Sequence, residues 1–152
     1  MADILDRASR SRLMSGIRSK NTRIEISLRR GLHARGFRYR LHDPKIPGRP
    51  DLAFPKYGAT VFINGCFWHG HDCELYRLPK TRTEFWRKNI ETNVQRDHRV
   101  KTELAKLGWR QFVIWECSIR GTGRRDFDAV IDNVAAWLRS VRHFGQIRGR
   151  RT

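Results

Sequence analysis

The hydrophobic pattern of the chain changes period several times and predicts an alternation of helices and strands. Apolar residues recur at helical spacing from 24 to 32, behind a capping box formed by Thr22 and Glu25, which predicts a helix that ends at Gly36. Residues 37–42 then alternate between apolar and polar side chains, as in a half-buried strand. A turn with three prolines follows and separates this strand from the next.

Two further strands are predicted at 51–54 and 59–65, and the second has the unbroken apolar centre of a strand covered on both faces. A capping box at Thr81 and Glu84 precedes a long helix-forming region, which Gly108 closes. The apolar run WRQFVIWEC beyond it is another buried strand. A strand-helix-strand order of this length requires the two flanking strands to pair in parallel.

Apolar residues at helical spacing from 127 to 141 predict a last amphipathic helix. The order α-β-β-β-α-β-α indicates an α/β fold with a mixed central sheet flanked by helices. Along the chain we expect a basic DNA-contacting arm at 1–20, a single domain at 21–141 and a flexible basic tail at 142–152. The arm carries the predicted DNA contacts Arg7, Arg10 and Arg12.

The net charge of the chain indicates which class of molecule it binds. The 152 residues suffice for one domain, but the formal net charge of +17 exceeds what solubility requires and favours a phosphate polyanion, with nucleic acid first. The N-terminal segment lacks the apolar centre of a signal peptide, and no apolar run reaches the length of a membrane span. We expect a cytoplasmic protein whose three cysteines stay reduced and free to bind metal.

The segment NGCFWHGHDC concentrates metal-ligand residues in one loop after a predicted strand. It supplies Cys66, His71 and Cys73, and Cys117 ends the strand predicted to pair beside it, so all three cysteines should meet at one sheet edge. This predicts a structural zinc site with three Cys and one His ligand. His69 can equally replace His71 as the ligand, and the simplest alternative is that the cysteines are small buried apolar residues.

A carboxylate is the residue that phosphodiester hydrolysis requires, since it can hold a hard divalent cation at the scissile phosphate. Asp51 follows Pro50 at the start of a predicted strand, which places it at the sheet edge facing the first helix. Glu25 on that helix can reach the same water network. The alternatives are that Glu25 serves only the capping box and that Asp51 only satisfies a turn.

Four motifs in this chain resemble those of the very-short-patch repair (Vsr) mismatch endonucleases, a branch of the PD-(D/E)xK restriction-endonuclease-like fold. The resemblance extends over about residues 7–138 and rests on the following segments: PGRPD at 47–51, GCFWH at 65–69, TRTEFW at 81–86 and WECSIRG at 115–121. It implies a restriction-endonuclease-like core and a monomeric, Mg2+-dependent enzyme. Such an enzyme nicks one strand beside the thymine of a T:G mismatch, the lesion left by deamination of 5-methylcytosine. General mismatch-repair proteins are further implied partners.

The resemblance also implies a role for individual residues. Asp51 would bind Mg2+, the main-chain carbonyl of Ile63 would be a second ligand, and Glu25 would belong to the outer water network. His69 would be the general acid or base, supported by Asp97. The zinc would be held by the following residues: Cys66, His71, Cys73 and Cys117.

An aromatic wedge is the implied means of recognition. Phe67 and Trp68, joined by Met14 from the arm, would enter the base stack next to the mismatch. A T:G wobble stacks weakly, so separating base steps costs less free energy there than at a normal pair. The alternative is that the two aromatic residues belong to the core.

The chain departs from the family pattern at Asn64. The best-known member has a histidine just before GCFWH, and the lysine of the general PD-(D/E)xK motif is also absent. Asn cannot move a proton at neutral pH, so either His69 carries the proton transfer or turnover is reduced. Two other functions fit the sequence: a restriction-like nuclease with another target and a zinc-stabilised DNA-binding protein without catalysis.

Overall fold

The computed structural model describes residues 22–151, which fold into a mixed sheet flanked by helices. In chain order the elements are α1 (Arg23–Ala34), β1 (Arg40–Leu41), β2 (Leu52–Phe54), β3 (Ala59–Asn64), α2 (Thr83–Lys106), β4 (Arg110–Trp115), α3 (Phe127–Arg139) and β5 (Phe144–Ile147). The predicted α/β class and mixed sheet are confirmed, with one strand more than expected. The predicted arm at 1–20, with Met14 and the three arginines, lies outside the described residues.

The sheet has the strand order β1-β2-β3-β4-β5. Strands β1 to β3 are antiparallel, whereas β3, β4 and β5 run parallel, which confirms the predicted parallel pair. The carboxyl ends of β3, β4 and β5 therefore share one edge of the sheet. The end of β1 and the start of β2 lie at that same edge, because Leu41 pairs with Leu52 and Leu52 with Val61. We call this the upper edge.

Apolar side chains cover both faces of the sheet. On one face α1 and α3 contribute Leu28, Leu32, Ile131 and Trp137 to the larger core cluster. On the other face Leu104 of α2 packs with Ile46 and Ala53 in a smaller cluster. Each fully buried large apolar side chain contributes roughly 1.5–3 kcal/mol, so these clusters fix the sheet that carries the upper edge.

The two predicted capping boxes differ in outcome. The Thr22 hydroxyl oxygen accepts a hydrogen bond from the Glu25 N–H at 3.1 Å, so α1 begins as expected. The prediction for Thr81 is wrong, because α2 begins at Thr83 after Arg82 in a left-handed conformation (φ 56°). The Thr83 hydroxyl donates to the Pro79 carbonyl at 2.8 Å, which ties the helix start back to the preceding turn.

The C-terminal segment forms a strand where the sequence predicted a flexible tail at 142–152. Phe144–Ile147 adds β5 to the sheet, Ile147 pairs with Ile114, and Ile147 is buried. The reason is the open edge of β4, whose backbone groups need partners that a short, weakly apolar segment can supply. Within residues 22–151 no helix is long and apolar enough to cross a membrane.

Candidate active site

Four side chains at the upper edge form a group that can hold a metal ion. The ligand atoms of Cys66, His71, Cys73 and Cys117 all lie within 4.8 Å of one another. The Nδ1 atom of His71 is 3.5 Å from the Cys66 Sγ and 3.6 Å from the Cys117 Sγ. The group assembles because Cys66 follows β3 and Cys117 follows the parallel β4. His71, and not His69, is the histidine in this group.

The chemistry of the group fits a soft divalent cation. The N–H groups of Cys117 and Gly149 point at the sulfur atoms of Cys66 (3.3 Å) and Cys117 (3.2 Å), as they would at thiolates. Burial raises the pKa of the Cys66 and Cys117 thiols, so a cation is the partner that would keep them ionised. Burial also lowers the pKa of His71, which leaves its imidazole neutral and able to donate a lone pair.

The loop between Cys66 and Cys73 is held by the protein on several sides. Glu116 accepts a hydrogen bond from the Cys66 N–H at 3.1 Å, and the Asn93 amide of α2 donates to the Trp68 carbonyl at 2.9 Å. Gly70 has a left-handed conformation (φ 60°), and an added Cβ would lie 2.9 Å from Ile90. These contacts hold the segment that carries Phe67, Trp68 and His69.

His69 forms a short contact with a carboxylate of the long helix. Its Nδ1 lies 2.6 Å from the Asp97 Oδ2, so its Nε2 remains as the second nitrogen. The side chains are 26% and 38% exposed, which leaves the pair accessible to a ligand. Both residues line a cleft of about 690 Å³, together with Asn64 and the basic residues Arg96 and Lys101. The cleft therefore contains both the predicted acid-base residues and positively charged side chains.

The second predicted group lies where β2 starts. The Asp51 Oδ2 accepts a hydrogen bond of 2.6 Å from the Ile63 N–H, and Glu25 of α1 is buried beside it. Burial raises the pKa of Asp51 well above its usual range, and a hydrogen bond to Glu25 raises it further. A buried carboxylate next to one that is still partly accessible suits a hard divalent cation. The Ile63 carbonyl as a further ligand stays a prediction.

His42 is a member of this second group that the sequence analysis missed. Its Nε2 is 3.4 Å from the Glu25 Oε1, and its Nδ1 is 4.0 Å from the Asp51 Oδ1. The ligand atoms of the three residues lie within 4.8 Å of one another. In the sequence His42 is an ordinary polar position at the end of a strand, and only the pairing of β1 with β2 brings it to Asp51.

The predicted wedge residues belong to the loop and form an aromatic cluster with the start of α2. Phe67 and Trp68 are both half-buried, with ring centroids 5.0 Å apart. Trp86 packs against both rings, at 5.6 and 5.8 Å, and Phe85 next to it is 44% exposed. Trp86 belongs to the TRTEFW motif but was not assigned a role there. The alternative that the pair lies in the core is not supported, because neither ring belongs to the two core clusters of the described residues.

Comparison with known proteins relates the whole arrangement to one family. The model of the family described as DNA mismatch endonuclease Vsr matches residues 2–75. The chain is 41% identical to the DNA mismatch endonuclease Vsr of Escherichia coli K12 over 138 residues, 91% of this chain and 88% of that protein. It is 46% identical to the Type II nicking enzyme V.XorIIP of Xanthomonas oryzae over 81% of this chain and 90% of that enzyme. The Type II nicking enzyme V.NmeAIP of Neisseria meningitidis is 43% identical over 79% and 86% of the two chains. The chain therefore belongs to the family of Vsr DNA mismatch endonucleases.

Proposed function

We propose that this protein hydrolyses a phosphodiester in one strand of duplex DNA, beside the thymine of a T:G mismatch. Its family membership makes it a DNA endonuclease, and the names of its relatives supply the finer terms: a mismatch endonuclease and Type II nicking enzymes. A cut in one strand at a deaminated 5-methylcytosine would start very short patch repair. The mixed sheet and its helices are compatible with the restriction-endonuclease-like core that this function implies.

The observation that carries the proposal is the meeting of two chemical groups at the end of β3. The N–H of Ile63 binds Asp51, and the next residue, Asn64, lines the cleft that contains His69 and Asp97. Successive residues of a strand point to opposite faces, so the carboxylates and the histidine flank one strand end. A phosphodiester at this strand end would contact both groups.

The carboxylate group would hold the catalytic cation. Asp51, with Glu25 behind it and the Ile63 carbonyl beside it, would bind Mg2+, which supplies charge neutralisation of the phosphate and a lowered pKa for water. The protein's own part is to exclude bulk water from Glu25 and to orient Asp51 through the Ile63 N–H. That hydrogen bond fixes the direction of the Asp51 carboxylate before DNA binds.

His69 would move the proton. Its Nδ1 contacts Asp97, so the Nε2 is presented to the substrate, and the carboxylate would stabilise the imidazolium that forms. Asn64 in the same cleft can donate and accept hydrogen bonds but cannot exchange a proton at neutral pH. We therefore assign the proton transfer to His69 and only a positioning role to Asn64.

The soft-metal group would be structural. Three thiolates and one imidazole are a common ligand set of Zn2+, and such a site would hold Cys66, His71, Cys73 and Cys117 together. The loop that they fix carries Phe67 and Trp68, which Trp86 supports from below. Rigid aromatic rings on the loop that also carries His69 can separate weakly stacked base steps, which is how a wobble pair would be distinguished.

A nicking assay on paired duplexes tests the proposal. Two duplexes of one sequence, with T:G or a normal pair at one position, are labelled separately on each strand and incubated with the protein and Mg2+. We expect one product, from the thymine strand of the mismatched duplex, and no product with the Asp51→Ala variant. Equal cutting of both duplexes, or cutting of both strands, would indicate a restriction-like nuclease. Binding without cutting would indicate a DNA-binding protein.

A further inference from the structure

His42 lies against the carboxylates of the Asp51 site but has no part in the mechanism proposed above. Its side chain is 13% exposed, and its Nε2 is fully enclosed. Although the Glu25 Oε1 is 3.4 Å away, the Nε2 has no hydrogen-bond partner among the described residues. A buried polar nitrogen without such a partner is costly, so its position calls for a ligand.

The spacing of the three side chains fits a shared metal ion better than direct hydrogen bonds between them. Charge-assisted hydrogen bonds between imidazole and carboxylate are about 2.7–2.9 Å long. The two His42 separations, 3.4 Å to Glu25 and 4.0 Å to Asp51, are longer than that. Donor atoms that each lie about 2.1 Å from one octahedral cation are roughly 3.0–4.2 Å apart. The observed distances fall within that second range.

The charges of the site also favour a divalent cation bound by two carboxylates and one neutral ligand. Glu25 and Asp51 are two carboxyl groups in one buried position, and burial together with Glu25 raises the pKa of Asp51. A divalent cation would balance both charges. An imidazole nitrogen adds a strong donor without adding a further negative charge.

We infer that His42 is a nitrogen ligand of the catalytic cation, next to the carboxylates of Glu25 and Asp51. The inference rests on the proposed function, because it concerns the same cation. It also bears on the class of metal: Mg2+ and Ca2+ prefer oxygen donors, whereas the first-row transition-metal cations also bind imidazole, Mn2+ the most weakly of them. This endonuclease should therefore bind Mn2+ more tightly than Mg2+ through His42.

Electron spin-echo spectroscopy of bound Mn2+ tests the inference on the full-length, zinc-loaded protein. We expect nitrogen hyperfine coupling in the native protein and its loss in His42→Asn, with Mn2+ affinity weakened at least about tenfold. Asn is the appropriate substitution because residue 42 has a left-handed backbone (φ 48°), which Asn tolerates well. The matched control is His33→Asn, an exposed histidine on α1, which should keep both the coupling and the affinity.

The outcomes separate this inference from the proposed function. Mn2+ binding that depends on Asp51 but shows no nitrogen coupling, or coupling and affinity unchanged in His42→Asn, would overturn the role of His42 alone. Mn2+ binding that survives Asp51→Asn would instead overturn the proposed catalytic cation site. If His42→Asn does not fold, the His69→Asn variant decides: coupling that persists there supports His42, and coupling that disappears assigns it to His69.

Discussion

Asp51, the proposed ligand of the catalytic cation, illustrates how a single functional side chain can oppose folding. Burial and the neighbouring Glu25 raise its pKa above the value in the unfolded chain. A raised pKa means that the group favours the folded state at low pH, and that this contribution is lost as the pH rises through the folded-state pKa. In the absence of a divalent cation, the native carboxyl group should therefore weaken the fold at neutral pH.

Asp51→Asn should abolish nicking and at the same time stabilise the protein. In buffer without added divalent salt we expect a larger free energy of unfolding than in the native protein at about pH 8, and a smaller gain at about pH 5, because the raised pKa of Asp51 makes its ionisation unfavourable in the folded state. Thermal unfolding at both pH values measures this. DNA affinity should stay equal or increase, because a negative charge leaves a basic site. The control is Glu103→Gln on the exposed face of α2, and a less stable Asp51 variant at the higher pH would contradict the prediction.

Asp97→Asn should reduce nicking without weakening DNA binding. The neutral amide cannot stabilise a protonated His69 across the 2.6 Å contact, so we expect a rate lower by roughly a hundredfold or more. Single-turnover rates at saturating DNA, DNA affinity and melting temperature separate this effect from misfolding. Glu91→Gln, an exposed acidic residue on the same helix, is the matched control and should change none of the three. A parallel fall in DNA affinity would indicate a binding role for Asp97.

Asn64→His should increase turnover. Asn64 is at the end of β3 and lines the cleft with His69, so a histidine there would place a second group that titrates near neutral pH at the reaction site. We expect a single-turnover rate higher by about tenfold or more. Asn64→Gln keeps the amide and should give no increase. An unchanged rate in Asn64→His would show that a second proton-transfer group is not limiting.

At the scale of elements, the C-terminal strand and the metal loop depend on each other. Strand β5 pairs with β4, and beyond it the Gly149 N–H donates to the Cys117 Sγ at 3.2 Å. Arg148 forms a 2.6 Å ion pair with Asp72 of the loop. An added Cβ at Gly149 would lie 2.3 Å from the Cys117 carbonyl oxygen. The backbone after β5 therefore packs directly against Cys117. The tail thus closes one side of the metal group.

Deleting residues 144–152 should destabilise the protein and weaken its hold on metal. Loss of the buried Ile147 alone should cost about 2 kcal/mol, which lowers the melting temperature by at least about 4 °C. Metal content per chain, measured after dialysis against a chelator, should fall faster than in the native protein. Deleting only residues 151–152 is the control. Equal stability of the two truncated proteins would mean that β5 contributes nothing.

The helices and strands that can be predicted from the sequence are those whose hydrophobic pattern is set by neighbouring residues. The helical spacing around Leu28 and Leu32 and the apolar run at 61–63 depend on neighbouring residues, and both elements lie where predicted. Strand β5 was missed because an edge strand is held by backbone bonds to β4, which no local pattern reveals. The position of His42 was missed for the same reason, since its contacts to Glu25 and Asp51 bridge separate elements.

At the scale of the whole molecule, the parallel strands give the sheet a functional edge and an opposite edge. Both candidate metal groups and the cleft of His69 lie at the upper edge, where β3 and β4 end. The starts of β3, β4 and β5 are at the other edge, and the exposed basic residues there include Lys56, Lys106 and Arg142. The net charge of +17 therefore includes cations at both edges, so charge alone does not locate the DNA.

A comparison of two triple variants that lose the same charge would show which part of the protein contacts the DNA. We predict that replacing Arg7, Arg10 and Arg12 of the arm by Gln weakens DNA binding strongly, because each loses a phosphate contact. Each lost contact lowers the slope of log affinity against log salt concentration by about 0.9, so the slope should fall by up to about 2.7. The same replacement of Lys56, Lys106 and Arg142 removes equal charge from the opposite edge and should change the slope by less than about one. Titrations of labelled duplex at several salt concentrations measure both slopes. Equal effects of the two variants would mean that the arm contributes only to the overall positive potential of the protein. A specific phosphate contact depends on where the cation lies, whereas the overall potential does not.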